Sequence, residues 1–150
     1  MNAPLRAALL AAGVVAADQA SKALVRGGLE PGESRELLPG VHLVHSRNSG
    51  VAFSLFSGGG PLVVIVSLVA LGALLAFFFS HLGRRLVWLP TGLLLGGAAG
   101  NLIDRVRAGA VTDFIKLPHW PAFNVADIAI TLGVVALVYV LEGPPRRARV

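Results

Sequence analysis

The chain has 150 residues, of which 55% are hydrophobic and only 14% charged. An ordinary soluble domain carries about 25% charged residues, and a disordered chain could not leave this much apolar surface in water. Cysteine is absent, which excludes disulfides, thiolate metal sites, a cysteine nucleophile and acylation of this chain on cysteine. The net charge of +5 would point to nucleic acid in a soluble protein, so the positions of the positive charges come first.

Leu5–Val25 is the first apolar run, interrupted by Arg6 near its start and by Asp18 and Lys22 near its end. Arg6 followed by Ala7–Ala17 resembles a signal peptide. The apolar stretch continues past the possible cleavage point into Ala20–Val25, so a retained helix is preferred. Arg26–Gly60 is a mixed segment. Glu36-Leu37-Leu38 and Val41–Val44 read as short strands, bounded by Pro31-Gly32, Pro39-Gly40 and Gly58-Gly59-Gly60. Asn48 to Gly83 contains no Asp, Glu, Lys or Arg, and its dense part, Pro61–Phe79, matches the roughly 20 residues that cross a bilayer. Leu86–Ile103 is a further uncharged run. Asp104–Phe123 follows, with Pro118 and Pro121 breaking any helix. Asn124–Leu141 is the last run, with Asp127 as its one charge. The expected fold is therefore membrane all-α in one domain. Four transmembrane helices, at about 5–25, 61–79, 86–103 and 124–141, carry a small extracytoplasmic sheet.

Arg6, the Arg84-Arg85 link and the tail residues Arg146, Arg147 and Arg149 all fall on one side of four spans. Positive residues mark the cytoplasmic side, so both termini are expected in the cytoplasm. Six of the thirteen positive charges then anchor the cytoplasmic face, and no nucleic acid is needed to account for them.

An Asp at the centre of a membrane helix costs about 2.5–3.5 kcal/mol on the insertion scale. The four Asp, at 18, 104, 113 and 127, gather in one layer at the expected outer boundary. Asp113 lies in Val111–Ile115, a short extended stretch, and Asp127 one turn into the last helix. The 13-residue connection between them contains two prolines and can fold back to bring them together. Two close carboxylates share a proton. The ionised one can activate water while the protonated one assists a carbonyl, the chemistry of aspartic proteolysis. Spacing alone leaves another reading open: Asp113 as a loop residue capping backbone, and Asp127 as a first-turn residue favoured by the helix dipole.

Other candidates carry less. No G-x-S-x-G elbow surrounds any of the eight Ser. His42 and His45 would face opposite sides of a strand and read as surface residues. Ser21 and Lys22 are adjacent on a helix and do not face each other. Gly92, Gly96, Gly97 and Gly100 suit close helix packing better than phosphate binding.

Five segments, in order, resemble the motifs of the lipoprotein signal peptidase (signal peptidase II) family: Asp18–Lys22, Asn48–Ser54, Gly96–Arg105, Gly109–Ile115 and Pro121–Asp127. The resemblance implies an aspartic endopeptidase of the bacterial inner membrane. Its substrates would be prolipoproteins already modified with diacylglycerol, cut just before the lipidated cysteine. Residue by residue, it implies Asp113 and Asp127 as the catalytic pair. Asn48, Asn101, Arg105 and Asn124 would line the site, and Asp18 and Lys22 would be polar supports. It implies no metal and no cofactor, membrane lipids as surroundings, a site at the outer face, a β-containing cradle over it, and a monomer. The chain departs from the family in two places. Ile128 stands where a small polar residue is expected, and the link from Asp113 to Asp127 is short.

Two rival functions fit parts of the pattern. A proton-coupled transporter also uses intramembrane acids, but near the midplane and without a long outer segment. A non-enzymatic adaptor would tolerate loss of either Asp.

Overall fold

The computed structural model describes residues 1–50 and 59–142. Val51–Ser54 of the second motif and the tail arginines 146, 147 and 149 lie outside the described residues.

Four long helices and three strands follow one another as α1 (Ala3–Gly28), β1 (Ser34–Leu38), β2 (Val41–Asn48), α2 (Gly59–Ser80), α3 (Trp88–Ala108), β3 (Val111–Lys116) and α4 (Val125–Glu142). The starts and stops follow local chemistry. Asn2 caps α1, its Oδ1 accepting the Leu5 N–H at 3.0 Å, where an amide oxygen satisfies an orphan donor of the first turn. Gly109 ends α3 in the left-handed region (φ 71°) and donates its N–H to Arg105 O, the helix stop for which glycine is suited.

At 1.5 Å per residue the 26-residue α1 is about 39 Å long, more than a bilayer core of about 30 Å. Among the described residues, three helices can cross a membrane by length and apolarity: α1, α2 from Pro61, and α4. The expectation of four such spans is therefore met by four helices but only three that qualify on composition. The expected third span, 86–103, is α3. It starts at Trp88 and runs on through Asp104, Arg105 and Arg107, and these charges with its glycines make it much less apolar than α2 or α4. Asp104, at this end of α3, lies against Lys22 and Arg26 of α1.

α3 packs against α1, α2 and α4. Its small residues are the reason it can lie so close. A Cβ on Gly92 would stand 2.8 Å from Leu10 Cβ, one on Gly96 2.7 Å from Val14 Cβ, and one on Gly97 2.5 Å from the Ala126 carbonyl oxygen. Such close approach is the packing mode of membrane helices, and it bears out the reading of these glycines. The outward faces of α2 and α4 are exposed apolar residues such as Ile65, Val69, Leu132 and Val135.

The strands form one sheet in the order β1-β2-β3, both pairs antiparallel. Val25 and Leu29 at the end of α1 pack on Phe114 of β3, which seats the sheet on one end of the bundle. His45, read from the sequence as a surface residue, is buried. A register irregularity between Leu43 and Ser46 breaks the simple alternation, and His45 Nδ1 meets Leu29 O at 2.9 Å. The opposite end of the bundle carries Arg6, whose guanidinium carbon lies 5.8 Å from the Trp88 ring centroid. Arg84 is there too, donating to the carbonyls of Val140 and Leu141.

Candidate active site

Asn124 immediately precedes α4, and this residue and Asp127 cap each other. Asn124 Oδ1 accepts the Asp127 N–H at 3.0 Å, and Asp127 Oδ2 accepts the Asn124 N–H at 3.1 Å. This is a capping box with Asn and Asp in place of the more usual Ser or Thr and Glu. It fixes the Asp127 carboxylate at the first turn of the helix, where the dipole favours negative charge.

Asn124 also reaches Asp113. With Oδ1 committed to the cap, its Nδ2 points the other way and donates to Asp113 Oδ1 at 2.7 Å. Asp113 arrives on β3, held at its second oxygen by Asn48 Nδ2 of β2 at 3.0 Å. The antiparallel register places Ser46 and Asp113 opposite one another, so the end of β2 lies within reach of the acid. The two acids thus meet on the two sides of one buried residue. Burial pushes the Asp113 carboxyl above its ordinary value. The hydrogen bond from Asn48 opposes this, the negative charge of Asp127 adds to it, and the Asn124 bond and the Lys22 charge oppose it.

The return of the chain from Asp113 to Asp127 is tight. Phe123 pairs with Ile115, accepting the N–H groups of both Phe114 and Ile115. His119 takes a positive φ of 58°, and Lys116 Nζ donates to Trp120 O. The short link is therefore a compact flap folded back on β3.

Behind the acids lies a buried ion cluster. Lys22 Nζ stands 2.8 Å from Asp18 Oδ2 and 3.0 Å from Asp104 Oδ2, and donates to Asn101 Oδ1 at 3.0 Å. Asn101 Nδ2 in turn donates to Asp127 Oδ1 at 2.8 Å. Asp18 Oδ1 accepts the Ala126 N–H of α4 at 3.0 Å, and Asp104 Oδ2 accepts the Thr112 N–H beside Asp113. Of the predicted site residues, Asp18, Lys22, Asn48, Asn101, Asn124, Asp113 and Asp127 are thus joined in one hydrogen-bonded set. Arg105 lies beside it. Its Nη1 makes a long 3.4 Å bond to Asn101 O, and its buried Nε has no partner among the described residues.

Three members were not assigned from sequence. Gln19 donates to Asp18, Gly100 O and Asp104. Arg26 reaches Asp104 Oδ1 at 3.7 Å and donates to Thr112 Oγ1. Thr112 presents its backbone to Asp104. Gln19 and Thr112 each adjoin an Asp in a motif, and that adjacency was the available signal. Among the described residues no group of three or more His, Asp or Glu is placed to hold a metal ion.

A groove of about 460 Å³ opens beside Asp127, lined by Leu117, Trp120, Phe123, Ile128, Thr131 and Leu132. Ile128 stands on this apolar wall.

The family model described as signal peptidase (SPase) II matches residues 10–141. A lipoprotein signal peptidase of Moorella thermoacetica is 44% identical over 138 residues, covering 91% of this chain and 92% of the relative. The lipoprotein signal peptidase of Gloeobacter violaceus is 48% identical over 139 residues, covering 88% and 77%. Two solved structures described as bacterial membrane enzymes superpose with TM-scores of 0.81 and 0.83 at 33% and 31% identity. They cover 90% and 96% of this chain, and 91% and 93% of their own. The match spans all seven elements from within α1 to the end of α4, and the chain belongs to the signal peptidase II family.

Proposed function

We propose that the protein is an aspartic endopeptidase that removes signal peptides from diacylglyceryl-modified prolipoproteins, cutting before the lipidated cysteine. The observation that carries this reading is the meeting of Asp113 and Asp127 on Asn124, within the family match. In the proposed mechanism Asp127, in the first turn of α4 where the helix dipole favours negative charge, is the ionised base. Asp113, whose proton is favoured by burial, is the acid. Asp127 takes a proton from water as the water oxygen attacks the scissile carbonyl carbon. Asp113 donates to the carbonyl oxygen, so charge does not build up there. In the collapse of the tetrahedral intermediate a hydroxyl proton returns to Asp113 as the C=O reforms, the C–N bond breaks, and the proton held by Asp127 passes to the leaving amine.

Asn48, Asn124 and Arg105 hold substrate backbone and the acids in this scheme. Asn101 orients Asp127, and Asp18 and Lys22 support the frame. The groove beside Asp127 takes an apolar part of the substrate at the membrane boundary. The chain acts as a single-domain monomer in the inner membrane without metal or cofactor. α3 crosses with the other three helices because its charges sit at the sheet end. Arg6 and Arg84 at the opposite end fit a cytoplasmic location for both termini, leaving the sheet and the acids at the outer face.

The test is cleavage by the purified protein in detergent or lipid. A diacylglyceryl-modified prolipoprotein should lose its signal peptide before the modified cysteine, read by mass, and the unmodified precursor should be cut far more slowly. No cleavage by a folded protein would return the transporter and adaptor readings.

A further inference from the structure

Lys22 is completely buried, four residues along α1 from its partner Asp18. A buried ammonium has three N–H donors and no acceptor, and here it faces three oxygens: Asp18 Oδ2, Asp104 Oδ2 and Asn101 Oδ1. The third partner matters most. A donor-only group forces the oxygen of the Asn101 amide toward itself. The amide nitrogen must then face the other way, and what it faces is Asp127 Oδ1 at 2.8 Å. Asn124 Nδ2 reinforces the same orientation by donating to Asn101 Oδ1 at 3.2 Å. The second route runs through Asp104, whose Oδ2 accepts both from Lys22 and from the backbone N–H of Thr112, the residue before Asp113.

We propose that Lys22 is a positioning residue for the reaction: one buried ammonium sets the face that Asn101 shows to Asp127 and, through Asp104, the place where β3 delivers Asp113. The proposal rests on the reading of Asp113 and Asp127 as the catalytic pair. A purely structural ion cluster would hold α1 to α3 equally well without any need for the Asn101 bond. In that case Lys22 would matter for folding and not for turnover.

The test separates these roles on the full chain in detergent, with the lipid-modified precursor as substrate. Removing Lys22 alone would strand two buried carboxylates, and breaking a buried pair in this way is strongly destabilising. Two variants lessen this: Lys22→Met with Asp18→Asn leaves Asp104 facing Arg26, and the same pair with Asp104→Asn removes all three charges. Asparagine at 18 and 104 retains an oxygen for the Ala126 and Thr112 N–H groups. The expected result is a cooperatively unfolding protein whose kcat falls about 100-fold, the scale of a small misplacement of reacting groups, with KM within about threefold of wild type. A folded variant with kcat near that of wild type would overturn the proposal. Failure of both variants to fold would assign Lys22 to folding alone and would overturn it too. Asp113→Asn and Asp127→Asn are run alongside. If those two retain cleavage, the catalytic reading fails. If they are inactive while the Lys22 variants are active, only the role of Lys22 fails.

Discussion

Gly100 on α3 lies directly against Asp18 on α1: a Cβ added to Gly100 would stand 2.6 Å from Asp18 Oδ2 and 3.1 Å from its Cγ. Asp18 has no room to yield, because one of its oxygens holds the Ala126 N–H and the other holds Lys22. The packing of α1 on α3 and the placement of α4 are therefore decided at the same atoms. Gly100→Ala should cost about 1–3 kcal/mol, as overpacking does, lowering the midpoint of thermal unfolding in detergent and reducing cleavage. Gly13→Ala is the control. Its added Cβ meets nothing within 4 Å, so it should leave both measurements at or slightly above wild type.

Asn124 does two separable things. It caps α4 through Oδ1 and holds Asp113 through Nδ2. Asn124→Ala should lose the cap, worth about 1 kcal/mol, along with most cleavage. Asn124→Asp keeps an oxygen for the Asp127 N–H but brings a third carboxylate against Asp113. Unfolding in detergent should show most of the cap retained, while turnover falls at least as far as in Asn124→Ala. Equal turnover in Asn124→Asp and wild type would separate Asn124 from the chemistry.

Asp113 makes stability depend on pH in a defined direction. Its folded-state carboxyl is raised, chiefly by burial, so the native state holds a proton that the unfolded chain has released. The native state therefore binds more protons in that window, and stability falls as pH rises from the ordinary carboxylate value through the raised one. Below the unfolded value both states are protonated and the group adds no slope. Asp113→Asn should flatten this dependence and be more stable than wild type at neutral pH. Unfolding midpoints measured across pH 4 to about 8 would show it, and an unchanged slope in the variant would assign the dependence elsewhere.

Much of this arrangement was legible in the chain. Uncharged runs located all four helices to within a few residues, because burial in lipid or protein demands apolar sequence whatever the tertiary detail. The five motifs brought every predicted site residue except Arg105 onto one hydrogen-bonded network, with Arg105 beside it. What stayed hidden is relational. α3 looked like a span ending at Ile103, yet it continues to Ala108 and stops at the Gly109 cap, and Asp104 on this stretch pairs with Lys22 and Arg26 some 80 residues away in the chain. Lys22 read as a generic polar support. Its three acceptors come from two helices, and no local pattern announces that. His45 read as exposed because strand alternation assumes a regular register, which the irregularity between Leu43 and Ser46 removes.

Orientation in the membrane is open to a direct check. With Arg6 and Arg84 at the end opposite the sheet, a reporter active only in the cytoplasm should be active when fused after residue 150. A reporter active only outside should be active when inserted at Gly40, in the β1–β2 turn. The reverse pattern would place the acids on the inner face.

The proposed mechanism requires Asp113 and Asp127 to act as one acid–base pair. The most direct measurement is single-turnover cleavage of a diacylglyceryl-modified prolipoprotein by purified wild type, Asp113→Asn and Asp127→Asn, each first shown to be folded by cooperative thermal unfolding in detergent. Wild type should cleave before the lipidated cysteine, and either variant should cleave at least about a thousandfold more slowly, on the order seen when a member of a catalytic unit is removed. Near-normal cleavage by either folded variant would contradict the proposed mechanism.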